Sequence, residues 1–317
     1  MALTDKGGIG MAIQAERICA AVSAQTKSGV RSCVPAGKGA SGSVFCVELA
    51  DGTRMAVKYS AHGELARREW ADSRFLYEHA PLPVPEPYFF CPVDETEAAW
   101  LLAMEYVDGI SAENPRLRFQ RREKRQNYTD SILNALEQLQ QVKNDRYGEV
   151  DGQLTDSWEA FYRPFAQEQL DFAREMRRQN RLDAAVLEAM EYAMGCYSQI
   201  FPEPGRAVLT HGDFWTPNML LDPESLRLTA VLDPYRVKWA APAYELFALK
   251  VGAGTRFHLY ERYKERMMLD EITDLQTEFY ALFSEVSWYA RLGSVSHPFL
   301  KAKAKSLRRE LARFGLR

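Results

Sequence analysis

The 317-residue sequence has few cysteines and no long apolar run. Its five cysteines are scattered, odd in number and without a Cys-x-x-Cys pair, which argues against a disulfide framework or a zinc site. We therefore expect reduced thiols and a cytoplasmic protein. No run of about 18 apolar residues occurs, so no membrane span is indicated and no membrane partner is expected. The amino-terminal residues also show no apolar export signal.

The sequence also lacks a large excess of positive or negative charge. Lys plus Arg number 40 and Asp plus Glu number 43, which gives a formal net charge of −3. This balance does not suggest a nucleic-acid partner. The strongest local departure is RLRFQRREKR, from Arg116 to Arg125. We interpret this run mainly as a solvated or ordered surface, with an anion or partner site as the alternative.

The first third of the chain has a β-rich pattern. SVFCVEL and RMAVKYS are apolar runs separated by Asp-Gly, which predicts a hairpin. A helical pattern, ELARREWADSRFLYEHA, follows and places Leu65, Trp70, Phe75 and Leu76 on one side. The proline-rich PLPVPEPYFF must be extended or turned, and AAWLLAMEYVDG predicts another strand. Residues 34–107 therefore predict a β-rich unit with one inserted helix.

Helical periodicity dominates from residue 128 onward. Ile132, Leu136 and Leu139 recur on one helical face, and similar patterns continue to the end of the sequence. Two short apolar runs with loops, RAVLTHGDFWTPNMLLD and LRLTAVLDPY, interrupt them. The pattern predicts an α+β protein with a small β-rich N-terminal lobe, residues 1–106, and a larger helical C-terminal lobe, residues 107–317.

The run HGDFWTPN places an acid and an amide five positions apart beside a predicted strand. Asp213 could accept the proton or the hydrogen bond of a reacting hydroxyl group. Asn218 offers a neutral oxygen and Asp233 a charged one, and both suit Mg²⁺, which keeps few protein ligands. We interpret His211 as a structural hydrogen-bonding residue that fixes the loop.

Other residues suit the phosphates of ATP, because phosphoryl transfer depends mainly on positioning and on charge neutralisation. Lys58 lies in a strand and could bind the α- and β-phosphates, while Glu69 in the next helix is placed to hold it. The glycine-containing turn GKGASGSVF could bring backbone N–H groups to the phosphates. Its candidate residues are Gly39, Ser41, Gly42 and Ser43. Glu105 and Val107 belong to a segment that could serve as the hinge for a purine, with ATP or GTP left open.

At these residues the sequence resembles a known family. HGDFWTPN resembles the HGDLWxxN loop of fructosamine kinases and, more broadly, the HGDxxxxN loop of aminoglycoside phosphotransferase-like kinases, which include choline kinases. VLDPY resembles their IDP segment, and APAYELF resembles the segment that packs under the magnesium aspartate. The resemblance runs loosely over residues 34–249 and is sharpest over 209–247. It implies a two-lobed, protein-kinase-like fold.

The resemblance also implies roles. By this resemblance, Lys58 would bind the nucleotide phosphates and Glu69 would hold Lys58. Asp213 would be the catalytic base, and Asn218 and Asp233 would bind magnesium. The chain departs from the family pattern at Ala241 and Glu245, where relatives often carry an acid and an aspartate that brace the catalytic loop. Pro217 and Pro234 should constrain Thr216 and Asp233 to extended geometry.

The sequence therefore favours an ATP-dependent kinase that phosphorylates a hydroxyl of a small molecule, with ATP and Mg²⁺ as cofactors. A fructosamine-like sugar–amine or an aminoglycoside-type acceptor is favoured, and a choline- or homoserine-type acceptor stays open. The alternative is a non-catalytic nucleotide-binding relative, for which the only support is Ala241 and Glu245. A protein kinase is disfavoured, because HRD, DFG and APE signatures are missing. The oligomeric state is left open.

Overall fold

The computed structural model describes residues 6–38, 42–94, 98–202 and 205–316. The chain divides into two compact units. Unit 1 comprises the described residues up to Ser111 together with Asn218–Arg236, and unit 2 comprises Ala112–Pro217 together with the chain from Val237 onward.

The strands and helices are numbered in chain order. The strands are β1 (Val30–Lys38), β2 (Ser43–Leu49), β3 (Arg54–Ser60), β4 (Pro87–Pro92), β5 (Trp100–Glu105), β6 (Ile110–Ser111), β7 (Lys143–Asn144), β8 (Gly148–Glu149), β9 (Ala207–Thr210), β10 (Met219–Leu221), β11 (Leu228–Val231) and β12 (Lys238–Ala240). The helices are α1 (Lys6–Thr26), α2 (Gly63–His79), α3 (Arg122–Gln141), α4 (Trp158–Arg178), α5 (Ala184–Gly195), α6 (Tyr197–Ile200), α7 (Ala253–Arg256), α8 (Leu259–Arg266), α9 (Ile272–Leu292) and α10 (His297–Arg313). Short 3-10 turns cover Pro115–Phe119, Thr216–Asn218 and Leu246–Lys250.

Unit 1 is built on an antiparallel sheet with strand order β1-β2-β3-β5-β4. The predicted hairpin is confirmed as β2 and β3, in which Val44 pairs with Lys58. The proline-rich stretch forms the edge strand β4, where a missing backbone N–H group is tolerated. Ile18 and Val22 of α1 pack with the buried face of this sheet, so the amino-terminal helix belongs to the core of unit 1.

Helix α2 differs from its sequence-based interpretation. Leu76 is fully buried as expected, but Leu65 is exposed. The buried face instead includes Asp72, whose Oδ2 accepts the backbone N–H of Arg236 at 2.8 Å. A carboxylate with this hydrogen bond can occupy a buried position that an apolar pattern does not reveal.

A second sheet of unit 1 has the order β11-β10-β6. Met219 pairs with Val231, and the N–H of Leu232 donates to the carbonyl of Asn218 at 2.7 Å. Asn218 therefore comes directly before β10, while Asp233 follows shortly after the antiparallel partner strand β11. This hairpin explains how two residues far apart in sequence enter the same small sheet.

Unit 2 combines a short sheet of order β7-β9-β12-β8 with helices α3 to α10. The predicted apolar face of α3 is confirmed, because Ile132, Leu136 and Leu139 are fully buried. The main core of unit 2 packs α4, α5, α9 and α10 around aromatic side chains such as Trp158 and Tyr280. Among the described residues, no helix is both long enough and apolar enough to cross a bilayer. The α+β prediction is confirmed.

Candidate active site

Three charged side chains converge in unit 1. Lys58 is buried on β3, and its Nζ donates to Glu69 Oε1 at 2.6 Å and lies 3.2 Å from Asp233 Oδ1. Glu69 comes from α2, and Asp233 follows β11. The structure therefore brings together these three residues that the sequence nominated.

Burial and charge act against each other in this cluster. Burial disfavours the ammonium of Lys58, but the attraction of Glu69 and Asp233 outweighs it and holds the pKa of Lys58 above its ordinary value. Burial likewise raises the pKa of the Glu69 carboxyl, and the Lys58 ammonium opposes that shift. Asp233 differs from Glu69 because its side chain is 46% exposed. One buried and one accessible carboxylate thus face a single cation.

The glycine-containing segment of the sequence lies between β1 and β2. Gly39 and Ser41 lie outside the described residues, while Gly42 directly precedes β2. A Cβ on Gly42 would lie 2.2 Å from the carbonyl oxygen of Tyr59, so only glycine fits against the strand that carries Lys58. Ser43 pairs with Tyr59 across the hairpin. Gly42 and Ser43 are therefore held against the strand that carries Lys58.

The prediction that Pro234 and Pro217 hold the preceding residues, Asp233 and Thr216, in extended geometry is wrong. Asp233 has φ +53°, a left-handed conformation that aspartate adopts more readily than most residues, and it is not extended before Pro234. Thr216 opens the 3-10 turn Thr216–Asn218 and is not extended before Pro217. At both positions the side chain is held by another residue, since Lys58 Nζ donates to Asp233 and the Thr216 hydroxyl donates to Glu113. Strained backbone of this kind is found often at functional sites.

The expected hinge residues lie at the end of β5. Glu105 is the last residue of the strand and is exposed, and its backbone N–H donates to the carbonyl of Glu86 at 2.8 Å. Val107 follows outside regular structure and is half-buried. Both residues belong to unit 1.

Asp213 lies in unit 2, in the loop that follows β9. The loop is tight: the N–H of Asp213 donates to Nδ1 of His211 at 3.3 Å, and the N–H of Trp215 donates to the carbonyl of Asp213 at 2.9 Å. His211 and Phe214 are fully buried, whereas Asp213 is only partly buried. His211 thus makes a hydrogen bond within the loop, as the sequence predicted, and Asp213 is partly exposed.

Glu245 holds the start of this loop. Its side chain is 2% exposed, Oε2 accepts the N–H of His211 at 3.0 Å, and Oε1 accepts the N–H of Gly212 at 2.5 Å. Burial raises the pKa of Glu245 to about 7, against the opposing effect of the two N–H groups and of Lys238. Glu245 thus makes two hydrogen bonds to the loop. Ala241 is buried and adds no charge.

Glu113 holds the other end of the loop. The hydroxyl of Thr216 donates to Glu113 Oε2 at 2.6 Å, and the N–H of Ala253 donates to the same oxygen at 2.9 Å. A Cβ on Gly252 would lie 2.7 Å from Glu113 Oε2, and Gly252 has φ +58°, so glycine is required beside the carboxylate. Glu113 therefore ties the loop to the start of α7.

Sequence reasoning missed Glu113 and underrated Glu245. Glu113 belongs to no motif and is 103 positions from Thr216. The only available signal for Glu245 was its place in APAYELF, where an acid among apolar residues is buried.

Unit 2 also contains a cavity of about 750 Å³ among α8, α9 and α10. Lys250, Lys264, Asp274 and Glu278 are among its lining residues. None of the residues nominated from the sequence lines it.

Comparison with known proteins identifies the family. Residues 32–266 match the profile of the phosphotransferase enzyme family. The chain is 25% identical to the uncharacterised protein YcbJ of Escherichia coli K12 over 80% of this chain and 84% of YcbJ.

Solved structures share the fold. A protein assigned as a fructosamine-3-kinase from Thermobifida fusca is 19% identical, with a TM-score of 0.66 over 92% of this chain and 98% of its own. The aminoglycoside phosphotransferase APH(4)-Ia is 16% identical, with a TM-score of 0.69 over 93% of this chain and 99% of its own. The protein-kinase-like fold is thereby confirmed. Because the family profile covers most of the sequence, the chain belongs to the phosphotransferase enzyme family and is a phosphotransferase.

Proposed function

We propose that the protein transfers the γ-phosphoryl group of ATP to a hydroxyl group of a small molecule. The observation that carries this proposal is the Lys58 ammonium, which Glu69 holds at 2.6 Å while Asp233 lies at 3.2 Å. A buried lysine fixed by one carboxylate presents its charge in a constant position, as binding of the α- and β-phosphates requires. The Gly42 backbone, packed on the same strand, is suited to approach the phosphates.

The residues of unit 1 also fit a magnesium ion. Asp233 is accessible, carries a charge and has a second oxygen besides the one nearest Lys58, while Asn218 would add an amide oxygen. One carboxylate and one amide are the small set of hard oxygen ligands that Mg²⁺ takes from proteins. When bound, the ion would neutralise phosphate charge. Lys58 would orient Asp233 toward that position, and Glu105 and Val107 would contact the purine.

Asp213 would act on the acceptor. Its carboxylate is partly accessible, while Glu245 and His211 fix the backbone on either side of Gly212. A carboxylate held in this way can accept the proton of the acceptor hydroxyl as the oxygen attacks phosphorus. Since positioning contributes much of the rate in phosphoryl transfer, the rigid backbone is as important as the acidity of Asp213.

For the acceptor, we favour a fructosamine-like sugar–amine, with an aminoglycoside-type compound next. The combination HGDFW with LDP supports the first, and it agrees with the similarity to proteins assigned as fructosamine-3-kinases. An aminoglycoside is a polycation, and the net charge of −3 gives it only weak electrostatic support.

The test is ADP release from Mg-ATP over a panel of acceptors. The panel contains fructosyl-lysine, several aminoglycosides, choline and simple sugars, and Asp213→Asn is the control variant. We expect acceptor-dependent turnover with fructosyl-lysine that falls by about 10²- to 10⁴-fold in Asp213→Asn, the range of a general base.

Turnover with another member of the panel instead would refute the proposed acceptor class but would still support a small-molecule kinase. Turnover that is unchanged in Asp213→Asn would refute the role of Asp213. If no acceptor is phosphorylated but nucleotide still binds, the proposal of catalysis fails, and the non-catalytic alternative with Ala241 as its origin takes its place.

A further inference from the structure

The basic segment, Arg116–Arg125, has a defined structure. The 3-10 turn Pro115–Phe119 is capped by the side chain of Asn114, which accepts the N–H of Arg116 at 3.0 Å, and Leu117 anchors the turn in the core. Helix α3 begins three residues after the turn ends. The side chains of this segment are therefore presented from fixed backbone.

Within the part of the chain that the structure describes, the cations of the basic segment form no ion pair. None of them lies within ion-pair distance, 4 Å, of a carboxylate oxygen among the described residues. The six side chains are Arg116, Arg118, Arg121, Arg122, Lys124 and Arg125. By contrast, Arg146, Arg163, Arg174, Arg178 and Arg308 of the same unit each form an ion pair.

Fold stability does not account for this cluster. Arg121 is the N-cap residue of α3 and makes no side-chain capping bond, and Glu123 is the only acid in the first turn. Cations at the amino-terminal end of a helix are disfavoured by the helix dipole. The arginines thus stand where the helix itself would favour acids, and within the described part of the chain no ion pair offsets this.

Phe119 adds an apolar contact at the centre of the segment. Its side chain is 74% exposed, and the guanidinium of Arg118 lies 4.5 Å from its ring centroid. Leu117 takes the inward position of the turn, which leaves Phe119 outside. An exposed aromatic ring in contact with one arginine, within a segment that carries five, has the composition of a protein-binding surface, where aromatic residues and arginine are enriched and lysine is depleted.

We propose that the basic segment is a docking surface for an acidic segment of a partner protein. The charges are complementary, and five of the six cations are arginines, whose planar forks bind carboxylates in a bidentate manner. A lipid surface attracts lysine and arginine alike and gives no reason for this preference. A nucleic acid requires a broader basic face than ten residues of a chain with net charge −3 provide.

The test is fluorescence anisotropy with the full-length protein and a labelled peptide probe. The probe has roughly a dozen residues, all Asp and Glu except for one central Leu, and its matched control replaces them by Asn and Gln. We expect the acidic peptide alone to bind, with affinity that falls about tenfold or more between about 50 mM and about 300 mM NaCl. Arg118→Gln/Arg121→Gln/Arg122→Gln should weaken binding about tenfold, and Phe119→Ser several-fold with the same salt dependence.

A matched triple variant controls for net charge. Arg177, Arg227 and Arg262 are exposed and form no ion pair among the described residues, so their replacement by Gln changes the charge equally. This control should keep the affinity within about twofold, as surface changes outside an interface do. Equal weakening by both triple variants, or no binding of the acidic peptide, would overturn the proposal. So would tighter segment-dependent binding to a single-stranded oligonucleotide, or to vesicles of equal parts phosphatidylcholine and phosphatidylglycerol.

Discussion

Unit 1 and unit 2 hold their candidate residues by different means. In unit 1, the ammonium of Lys58 is fixed by charge, through Glu69 at 2.6 Å and Asp233 at 3.2 Å. In unit 2, the side chain of Asp213 is positioned through the backbone of its loop. Glu245 accepts two N–H groups at the start of that loop, and Glu113 accepts a hydroxyl at its end.

Under the proposed function, the difference follows from what each unit would present to its substrate. A phosphate site needs a cation in a constant place, and a charged partner supplies the constraint directly. A general base needs its carboxylate in a fixed position relative to the acceptor, and hydrogen bonds to the backbone of the loop supply that constraint. Unit 1 should therefore respond most to loss of charge, and unit 2 to loss of hydrogen bonds.

The largest effect is expected from Lys58→Ala in unit 1. Loss of the cation should lower kcat/KM for ATP by about 10²- to 10³-fold, the range for removal of one preorganised electrostatic contact. The fold should persist, because burial already raises the pKa of Glu69 and the carboxyl can take up a proton in place of its lost partner. Steady-state kinetics and thermal unfolding measure the two quantities. The exposed Lys305 offers the matched change to Ala, and turnover equal in both variants would refute the assignment of Lys58.

The next effect concerns the pH dependence of stability through Glu245. Its pKa is about 7 in the folded protein and near 4.5 when unfolded, so the folded state binds the proton more tightly. The contribution of Glu245 is therefore complete below about pH 4.5 and is lost as pH rises through about 7. For a fully buried group this amounts to about 3 kcal/mol.

Urea unfolding of the native protein and Glu245→Gln over this pH range measures that contribution. The variant has a lower baseline stability, because its amide cannot accept both N–H groups. Its free energy of unfolding should nevertheless change less with pH than that of the native protein. Parallel pH profiles for the two proteins would show that Glu245 does not titrate in this range.

A smaller effect is expected for the proposed magnesium ligands of unit 1. Asp233→Asn and Asn218→Ala should each raise the Mg²⁺ concentration for half-maximal turnover by about tenfold or more, because each removes or weakens one of few protein ligands. Titration of activity with Mg²⁺ at fixed ATP gives this value. Glu224→Gln removes an exposed acid of the same unit and should leave the titration unchanged. A flat magnesium dependence in Asp233→Asn would show that the ligands are misassigned.

The residues behind these predictions differ in how readily they could be identified from the sequence. Lys58, Glu69 and Asp233 could be nominated because phosphoryl transfer requires charged groups in a known order, and the strand and helix patterns around them are regular. The β2–β3 hairpin and the buried face of α3 were predictable for the same reason, since apolar periodicity reports burial directly.

The bracing of the loop could not be predicted in this way. Glu113 meets Thr216 through a contact between positions distant in sequence, and no local pattern encodes such a pair. Asp72 is similar, because its burial on α2 depends on the N–H of Arg236. The left-handed backbone of Asp233 also escaped prediction, since the rule for residues before proline favours extended geometry and tertiary contacts override it here.

The smallest effect is expected from the contact between Thr216 and Glu113 in unit 2. Thr216→Val and Glu113→Gln each weaken one hydrogen bond to a partly exposed carboxylate, so their coupling in a double-mutant cycle should be about 1 kcal/mol. If this contact positions Asp213, both variants should lower kcat by a similar factor and leave the KM for ATP nearly unchanged. Glu113→Asp keeps the charge but shortens the side chain, which increases the distance to Thr216. We therefore expect its kcat to stay below that of the native protein. Additive effects in the cycle would mean that the two residues act independently. In that case Glu245 alone would hold the loop. The difference between unit 1, where charge fixes Lys58, and unit 2, where hydrogen bonds fix the loop, would then apply only to the start of the loop.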